Sequence, residues 1–347
     1  MLVDSPPEQR AETAPAPPSR RAIRALGLLV SVVILVLVAL ASIAIGAKEL
    51  PLDQVWHGLF HDTGTYGDVV VDERLSRTVL GLLAGAALGL SGAVLQALTR
   101  NPLADPGLLG INAGASAAVV TAITFFGVTS LDGYVWFAFV GAAAVGALVW
   151  FLGGSRGATP VRLALAGTAI SAALYGYLQA VMITDDAALG KMRFWTVGSL
   201  ASASNSTILQ VLPFLAAGTL LALGLARPLN AVAMGDDTAR ALGANLNRTR
   251  ALAMLAATVL SGAATAACGP IAFVGLMVPH VVRSFTGPDL RWILPYATVL
   301  SPVLLLGADV IGRVVARPSE LQVGIVTAVI GGPVFILLVR RRRTAQL

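Results

Sequence analysis

Charged residues are scarce in this sequence. Only 12% of its 347 residues are Asp, Glu, Lys or Arg, whereas 56% are hydrophobic. A soluble domain typically carries about 25% charged residues, so this composition excludes an ordinary soluble domain. Acidic residues are rarest within the long apolar runs, where Asp309 stands closest to an interior position. Ion-coupled transporters usually hold carboxylates or broken-helix ion sites near the membrane midplane, so the pattern argues against a coupling ion.

The residues that carry most covalent and metal chemistry are also few. No G-x-x-x-x-G-K-[ST] loop is present, which excludes nucleotide binding of the P-loop type. The three histidines, His57, His61 and His280, do not have metal-ligand spacing, and a structural or interfacial role for His280 is favoured over a metal ligand. The single cysteine, Cys268, has no internal disulfide partner. The sequence therefore predicts no catalytic residue, no metal site and no cofactor.

Apolar runs of membrane length are abundant. A bilayer core of about 30 Å needs roughly 20 apolar residues in a helix, and a helix satisfies its own backbone hydrogen bonds in lipid. Alternation typical of barrel strands is absent. An all-α polytopic membrane protein with about ten transmembrane helices is predicted, although eight remain possible because the third, eighth and ninth runs are short or interrupted. The predicted spans are 24–47, 76–99, 107–127, 133–153, 160–182, 206–226, 250–270, 271–286, 293–308 and 321–339.

Basic residues predict the orientation of these spans. Arg20, Arg21 and Arg24 precede the first apolar run and residues 340–343 follow the last, so both termini are expected in the cytoplasm. The net charge of +6 is attributed to this bias rather than to nucleic-acid binding. Of the 24 Lys and Arg residues, those expected outside are Lys48, Arg74, Arg77, Lys191, Arg193, Arg313 and Arg317.

The chain is predicted to hold one structured domain. Residues 1–23 are expected to form a Pro-rich, disordered cytoplasmic tail, and residues 24–343 a single transmembrane domain with a cytoplasmic segment at 230–249. Glycines at 81, 85, 89 and 92 recur at spacings of three and four. Such positions line one helix face and allow close helix packing.

Three polar segments interrupt the apolar pattern. Residues 100–110 contain two prolines that impose a turn, with Asp105 placed to cap a helix that begins at Pro106. Residues 234–244 predict a short amphipathic helix that begins at one of two aspartates and ends before Gly243, with Ala239 and Leu242 on one face. This helix is a candidate docking element, although a plain surface helix is an equal alternative. Residues 269–280 carry Gly and Pro at both ends, which indicates a broken helix.

These segments, in this order, resemble the FecCD-type permeases of ABC importers for iron–siderophores, haem and vitamin B12. Residues 74–78, 194–200 and 332–335 match the family as well, and the resemblance covers residues 25–343. Within the family, residues 100–114 and 193–200 look most similar to ferric enterobactin permeases, which implies a catecholate substrate.

The resemblance implies the fold and partners of a type II ABC importer in the bacterial cytoplasmic membrane. Two permease subunits would form the translocation path: this chain and a partner, with a paralogue favoured over a second copy. Separate ATPase subunits and a periplasmic or lipid-anchored siderophore-binding protein would complete the complex. The transported substrate would be an iron(III)–siderophore, with vitamin B12 or haem as alternatives and an ion-coupled secondary transporter as a further one. The chain itself would not be an enzyme.

The resemblance also implies roles for individual residues. Arg74, Arg77 and Arg313 match positions that pair with carboxylates of the binding protein. The residues that match the ATPase-coupling helix are Gly235, Asp236, Asp237, Ala239, Arg240, Leu242 and Gly243. The residues that match the cytoplasmic gate are Asn101, Leu103, Thr159 and Val161. Relatives carry small hydroxyl residues where this chain has Pro160 and Val161, a departure at the second half of the gate.

Overall fold

The chain folds into helices. The computed structural model describes residues 20–61, 64–154 and 160–344, and within these ranges no residue lies in a strand. The described helices are α1 Arg20–Ala44, α2 Leu52–Phe60, α3 Tyr66–Thr99, a 3-10 turn Pro106–Leu109, α4 Ile111–Phe126, α5 Leu131–Gly154, α6 Pro160–Thr184, α7 Asp186–Trp195, α8 Asn205–Gly224, α9 Ala226–Ala233, α10 Asp236–Ala241, α11 Leu246–Cys268, α12 Val274–Thr286, α13 Leu290–Val315 and α14 Val323–Thr344.

Ten of these helices fall on the ten predicted spans, which confirms the all-α polytopic fold. Seven, namely α1, α3, α5, α6, α8, α11 and α13, are long and apolar enough to cross a membrane. The other three are α4 and α14, whose apolar parts Ile111–Phe126 and Val323–Leu337 are shorter, and α12, which has 13 residues.

The ninth predicted span was too short. Helix α13 has 26 residues and continues past position 308 to Val315. The sequence reading ended it before two charged residues, but Asp309 and Arg313 lie four residues apart and form an ion pair at 2.9 Å. Because the two charges neutralise each other, the helix can continue through the buried region. Helix α3 likewise begins at Tyr66, ten residues before its predicted start, with a capping box between Thr65 and Asp68.

The predicted break before α12 is present. Gly269 and Phe273 both have left-handed backbone angles, with φ values of 71° and 69°. The end of α11 just before this break has a backbone partner, because Ser199 N donates to Cys268 O at 2.8 Å. Irregular backbone is tolerated at membrane depth where it is enclosed by protein.

Helices α3 and α11 form the centre of the bundle. They pack against each other, and α3 also contacts α1, α12 and α13. Small residues permit this closeness: a Cβ added to Gly92 would lie 1.9 Å from Gly275 O, and one added to Gly85 would lie 2.6 Å from Pro302 Cα. Gln96 Nε2 donates to Leu276 O at 3.0 Å, an interhelical hydrogen bond of the kind that joins membrane helices. The glycine face predicted from the sequence is therefore the packing face of α3.

Candidate functional site

The candidate functional residues collect around two points on α3, Arg77 within the helix and Arg100 at its C-terminal end. Arg77 and Arg100 are 23 residues apart in sequence, which corresponds to about 35 Å along a helix that rises 1.5 Å per residue. This distance slightly exceeds the thickness of a bilayer core, about 30 Å. We call the group Arg77, Asp309, Arg313 and Glu320 the Asp309 cluster, and the group Arg100, Asp236 and Arg250 the Asp236 cluster.

The Asp309 cluster is a buried ion network. Arg77 donates through Nε and Nη2 to the two carboxylate oxygens of Asp309, at distances of 2.7 to 3.1 Å. Arg313 lies 2.9 Å from the same carboxylate, and the Asp309 side chain is fully buried. The remaining Arg77 nitrogen, Nη1, donates to Glu320 Oε2 at 2.6 Å. Glu320 is the most exposed member, with 34% of its side chain accessible.

Two arginines donate hydrogen bonds to the carbonyl oxygens at the C-terminal end of α1. Arg313 Nη1 donates to the carbonyl oxygens of Ser42 and Ile45, both at 2.9 Å. Arg74 donates to Ala44 O at 3.0 Å and to Lys48 O at 2.6 Å. The last carbonyls of a helix lack intrahelical partners and carry partial negative charge, so both guanidinium groups stabilise this helix end.

These contacts bear on the three arginines that the resemblance assigns to docking. Arg74, Arg77 and Arg313 are all buried, with 6%, 8% and 1% of their surface accessible. Each guanidinium group already donates to acceptors of the chain itself, so a carboxylate from a partner that pairs with these nitrogens must displace an existing contact. The sequence reading missed these acceptors, although the four-residue spacing of Asp309 and Arg313 was a signal for one of them.

An accessible polar groove lies beside the Asp309 cluster. It has a volume of about 600 Å³, and its lining includes Lys48, Glu49, His57 and Tyr66. Glu49 also pairs with Arg317 at 2.5 Å, and 81% of the Glu49 side chain is exposed. This end of the bundle therefore presents exposed charge of both signs around a buried network.

A second cavity at this end uses a segment to which the sequence reading gave no role. The cavity measures about 450 Å³ and is bordered by Tyr134, Lys191, Phe194, Trp195 and Gln322, among others. It combines aromatic surface with a cation and several hydroxyl groups.

The predicted gate residues lie at the opposite end. The Asn101 side chain accepts a hydrogen bond from Leu103 N at 2.9 Å, and Asp105 caps the 3-10 turn as predicted, accepting from Gly107 N at 2.8 Å. Asn101 and Val161 line one cavity of about 360 Å³ between this turn and α6. Leu103 is 39% exposed and is not among the residues that line this cavity. Thr159 lies outside the described residues.

The predicted coupling helix is present as α10. Gly235 precedes it with a φ of 116°, and Gly243 follows it with a φ of 77°, conformations that glycine adopts readily. Ala239 is fully buried against Val232 and Leu246, whereas Leu242 is 62% exposed. The expectation that Ala239 and Leu242 share one face is wrong: the helix ends at residue 241, and Leu242 lies in solvent.

The exposed surface of this segment mixes apolar and charged groups. Met234 is 59% exposed, and Asp237 and Arg240 form an exposed ion pair at 3.1 Å. Such an apolar patch rimmed by charge is typical of a surface that binds another protein.

The Asp236 cluster joins the predicted coupling segment, residues 230–249, to the turn that holds the predicted gate residues Asn101 and Leu103, which we call the gate turn. Asp236 forms ion pairs with Arg100 and with Arg250, the latter at 2.8 Å. Arg100 Nε also donates to Val232 O at 2.8 Å. Burial alone would raise the pKa of the Asp236 carboxyl, but hydrogen bonds from Arg250 and then Arg100 outweigh it and hold the pKa below its ordinary value of 3.8. Sequence reading placed Asp236 in the coupling segment but gave no role to its two arginine partners.

Within the described residues, apolar helices of membrane length, a capped and partly apolar segment at one end and a charged groove at the other define a polytopic helical membrane protein. Residues 34–341 match the model of the FecCD transport family, and the chain belongs to this family.

Individual relatives match over nearly the whole chain. The ferric enterobactin transport system permease protein FepD of Escherichia coli (strain K12) is 48% identical over 327 residues, which cover 93% of this chain and 96% of the relative. The Fe(3+)-citrate import system permease protein YfmD of Bacillus subtilis (strain 168) is 37% identical, over 94% of this chain and 98% of the relative. A solved metal-chelate type ABC transporter in an inward-facing conformation superposes with a TM-score of 0.81 at 27% identity, over 91% of this chain and 99% of that one. The chain is thus a permease of an ABC importer.

Proposed function

We propose that this permease carries an iron(III)–siderophore complex across the bacterial cytoplasmic membrane. The observation that carries the proposal is the 48% identity to a ferric enterobactin permease over 93% of the chain. A catecholate complex is the favoured substrate for the same reason. The cavity bordered by Lys191, Phe194 and Trp195 suits such a complex, since anionic aromatic groups bind well between a cation and aromatic rings.

The Asp236 end is assigned to the cytoplasm and the Asp309 end to the external side. The positive-inside rule supports this orientation, with both termini in the cytoplasm. Separate ATPase subunits would supply the energy and bind the coupling segment, where exposed Met234 and Leu242 are available for packing. ATP hydrolysis then belongs to those subunits and not to this chain.

A second permease subunit, preferentially a paralogue, would cover exposed apolar helix faces. Helix α6 is the best candidate for this contact. Only 17% of the residues in its most apolar stretch are buried, although the helix borders the gate cavity. Leu165 and Ile183 on this helix are 65% and 83% exposed.

A siderophore-binding protein would dock at the Asp309 end. Direct pairing with Arg74 or Arg313 would require breaking their contacts to the end of α1. Arg77 is the better candidate, because its partner Glu320 is partly exposed. A carboxylate of the binding protein can replace Glu320 while the buried pair between Arg77 and Asp309 stays intact.

Uptake measurements test the substrate. Cells lacking this gene, and the same cells complemented with it, are supplied with radiolabelled iron on catecholate, hydroxamate and citrate chelators, and separately with haem and vitamin B12. Loss and restoration of catecholate-iron uptake alone is the expected result. Intact iron uptake with lost haem or vitamin B12 uptake would overturn the substrate, and uptake that survives ATP depletion would overturn the importer mechanism.

A further inference from the structure

We propose that Arg100 is the link through which the coupling segment moves the gate turn, with Asp236 as its partner. This inference rests on the proposed function, because it names the contact through which an ATPase bound to α10 would act. Arg100 is a positioning residue in this scheme and does not touch the substrate.

One guanidinium group holds the coupling segment at two points. Arg100 Nε donates to Val232 O near the end of α9 at 2.8 Å, and Nη2 pairs with Asp236 at the first position of α10. Guanidinium is planar, with its donors fixed in a rigid fork. When the connection between α9 and α10 moves, both contacts move with it. Because the guanidinium group is rigid, Arg100 must then move as well.

The backbone of Arg100 continues directly into the gate turn. Arg100 ends α3 with a left-handed φ of 50°, and the next residue is Asn101, which lines the gate cavity opposite Val161. A non-glycine residue in this conformation is uncommon, and the contacts to Val232 and Asp236 hold the Arg100 side chain in place. The cavity of about 360 Å³ provides space into which the turn can move.

Arg250 holds Asp236 against the buried helix α11. It is the fifth residue of α11, a helix whose apolar window is 78% buried, and only 11% of its side chain is exposed. By contrast, 37% of the Arg100 side chain and 34% of the Asp236 side chain are accessible. The pair between Arg100 and Asp236 is therefore the solvated and more easily rearranged half of the cluster.

The alternative is a static contact that only holds α10 in place. The two roles differ in what they change: a static contact affects the amount of assembled complex, whereas a link affects the substrate moved for each ATP hydrolysed. Transport per ATP in an assembled complex therefore separates them.

The experiment uses the full complex of permease, ATPase and binding protein in lipid vesicles, with the iron complex that the uptake measurements identify. The variants are Arg100→Asn, since Asn tolerates left-handed backbone, Arg100→Lys, which keeps the charge without the fork, Asp236→Asn, and the double variant Arg100→Asn with Asp236→Asn. The matched control is Arg291→Asn, which removes an exposed arginine paired with Asp289 at 2.8 Å, at the same end of the bundle but outside the coupling segment and the gate turn.

Transport per ATP is expected to fall about tenfold in Arg100→Asn, within the range of interaction energies between contacting charged residues. Arg100→Lys should fall less, the double variant should be no worse than the more severe single variant, and the control should match the wild type. A wild-type ratio in both Arg100 variants would overturn the link. So would additive single effects, or a loss confined to the amount of assembled complex. Failure of the proposed function is distinct, because the wild-type complex would then transport no iron complex at all.

Discussion

Arg77 within α3 and Arg100 at its end each share one aspartate with a second arginine, but the two arrangements differ in burial. In the Asp309 cluster the side chains of Arg77, Asp309 and Arg313 are 10%, 0% and 1% exposed. In the Asp236 cluster the side chains of Arg100 and Asp236 are each more than a third exposed. The Asp309 cluster therefore holds its helices in fixed positions, and we call it the junction. The Asp236 cluster can rearrange, and we call it the joint.

The physical reason is desolvation. Removing one partner from a buried ion network leaves an uncompensated charge, which is strongly destabilising. Exposed ion pairs contribute little because water can replace either partner. The Asp309 cluster can thus hold α3 and the ends of α1 and α13 together through a transport cycle, while the pair between Arg100 and Asp236 can separate and re-form at low free-energy cost.

The largest expected effect is on stability at the buried end. Asp309→Asn keeps the shape of the side chain but removes the only negative charge that both Arg77 and Arg313 contact among the described residues. The free energy of unfolding should fall by roughly 3–5 kcal/mol. Thermal unfolding of the detergent-solubilised permease, followed by size-exclusion chromatography, measures it. A melting temperature equal to that of the wild type would show that the network does not hold these helices.

The matched change at the other end should affect stability less. Asp236→Asn removes a carboxylate that is about one-third exposed, but its partner Arg250 is only 11% exposed, so the loss should lie between the about 0–1 kcal/mol of exposed pairs and the roughly 3–5 kcal/mol of buried ones. The same unfolding assay should give a melting temperature between those of the wild type and Asp309→Asn, although transport per ATP falls. Equal destabilisation by Asp236→Asn and Asp309→Asn would contradict the distinction between junction and joint.

A smaller effect is expected on docking of the binding protein. Glu320→Gln removes the carboxylate that pairs with Arg77 Nη1 at 2.6 Å and leaves the pair between Arg77 and Asp309 in place. If a partner carboxylate takes this position, affinity for the binding protein should rise by about two- to fivefold, the range of an exposed ion pair. Titration of the loaded binding protein onto permease in nanodiscs measures it. Weaker binding would mean that Glu320 itself contacts the partner. Glu49→Gln is the control, since it removes the neighbouring exposed pair with Arg317.

The contrast between the two ends also shows how far the sequence was informative. Apolar length predicted ten helices because a span must satisfy its backbone and its hydrophobic surroundings locally. The start of α3 and the extent of α13 were missed because Arg74, Arg77, Asp309 and Arg313 look like span ends in isolation. Their charges are tolerated inside the bundle through contacts between helices, and Arg77 and Asp309 are 232 residues apart in the chain.

The features of the candidate site also fall into two groups, those that the sequence predicts and those that it does not. Local backbone signals predicted α10 and the cap at Asp105, because glycine, proline and aspartate act through near neighbours. The partners of Asp236 could not be found locally, since Arg100 lies 136 residues away in sequence. Ala239 and Leu242 were assigned one face because helical periodicity was assumed to continue, and the early end of α10 places Leu242 in solvent.

The smallest expected effect is that of pH on the Asp236 joint. The pKa of its carboxyl lies below the ordinary value of 3.8, because the hydrogen bonds from Arg250 and Arg100 outweigh burial. A carboxyl with a depressed pKa contributes its full stabilisation above its ordinary pKa and loses it only as pH falls through the lowered value. Transport per ATP should therefore stay constant between pH 8 and pH 5 at this site, which is measured as the ratio of wild type to Asp236→Asn at each pH. The ratio cancels titration elsewhere in the complex. A midpoint between pH 5 and pH 7 in that ratio would mean that burial prevails over the two arginines, and that the joint is weaker than its contacts indicate.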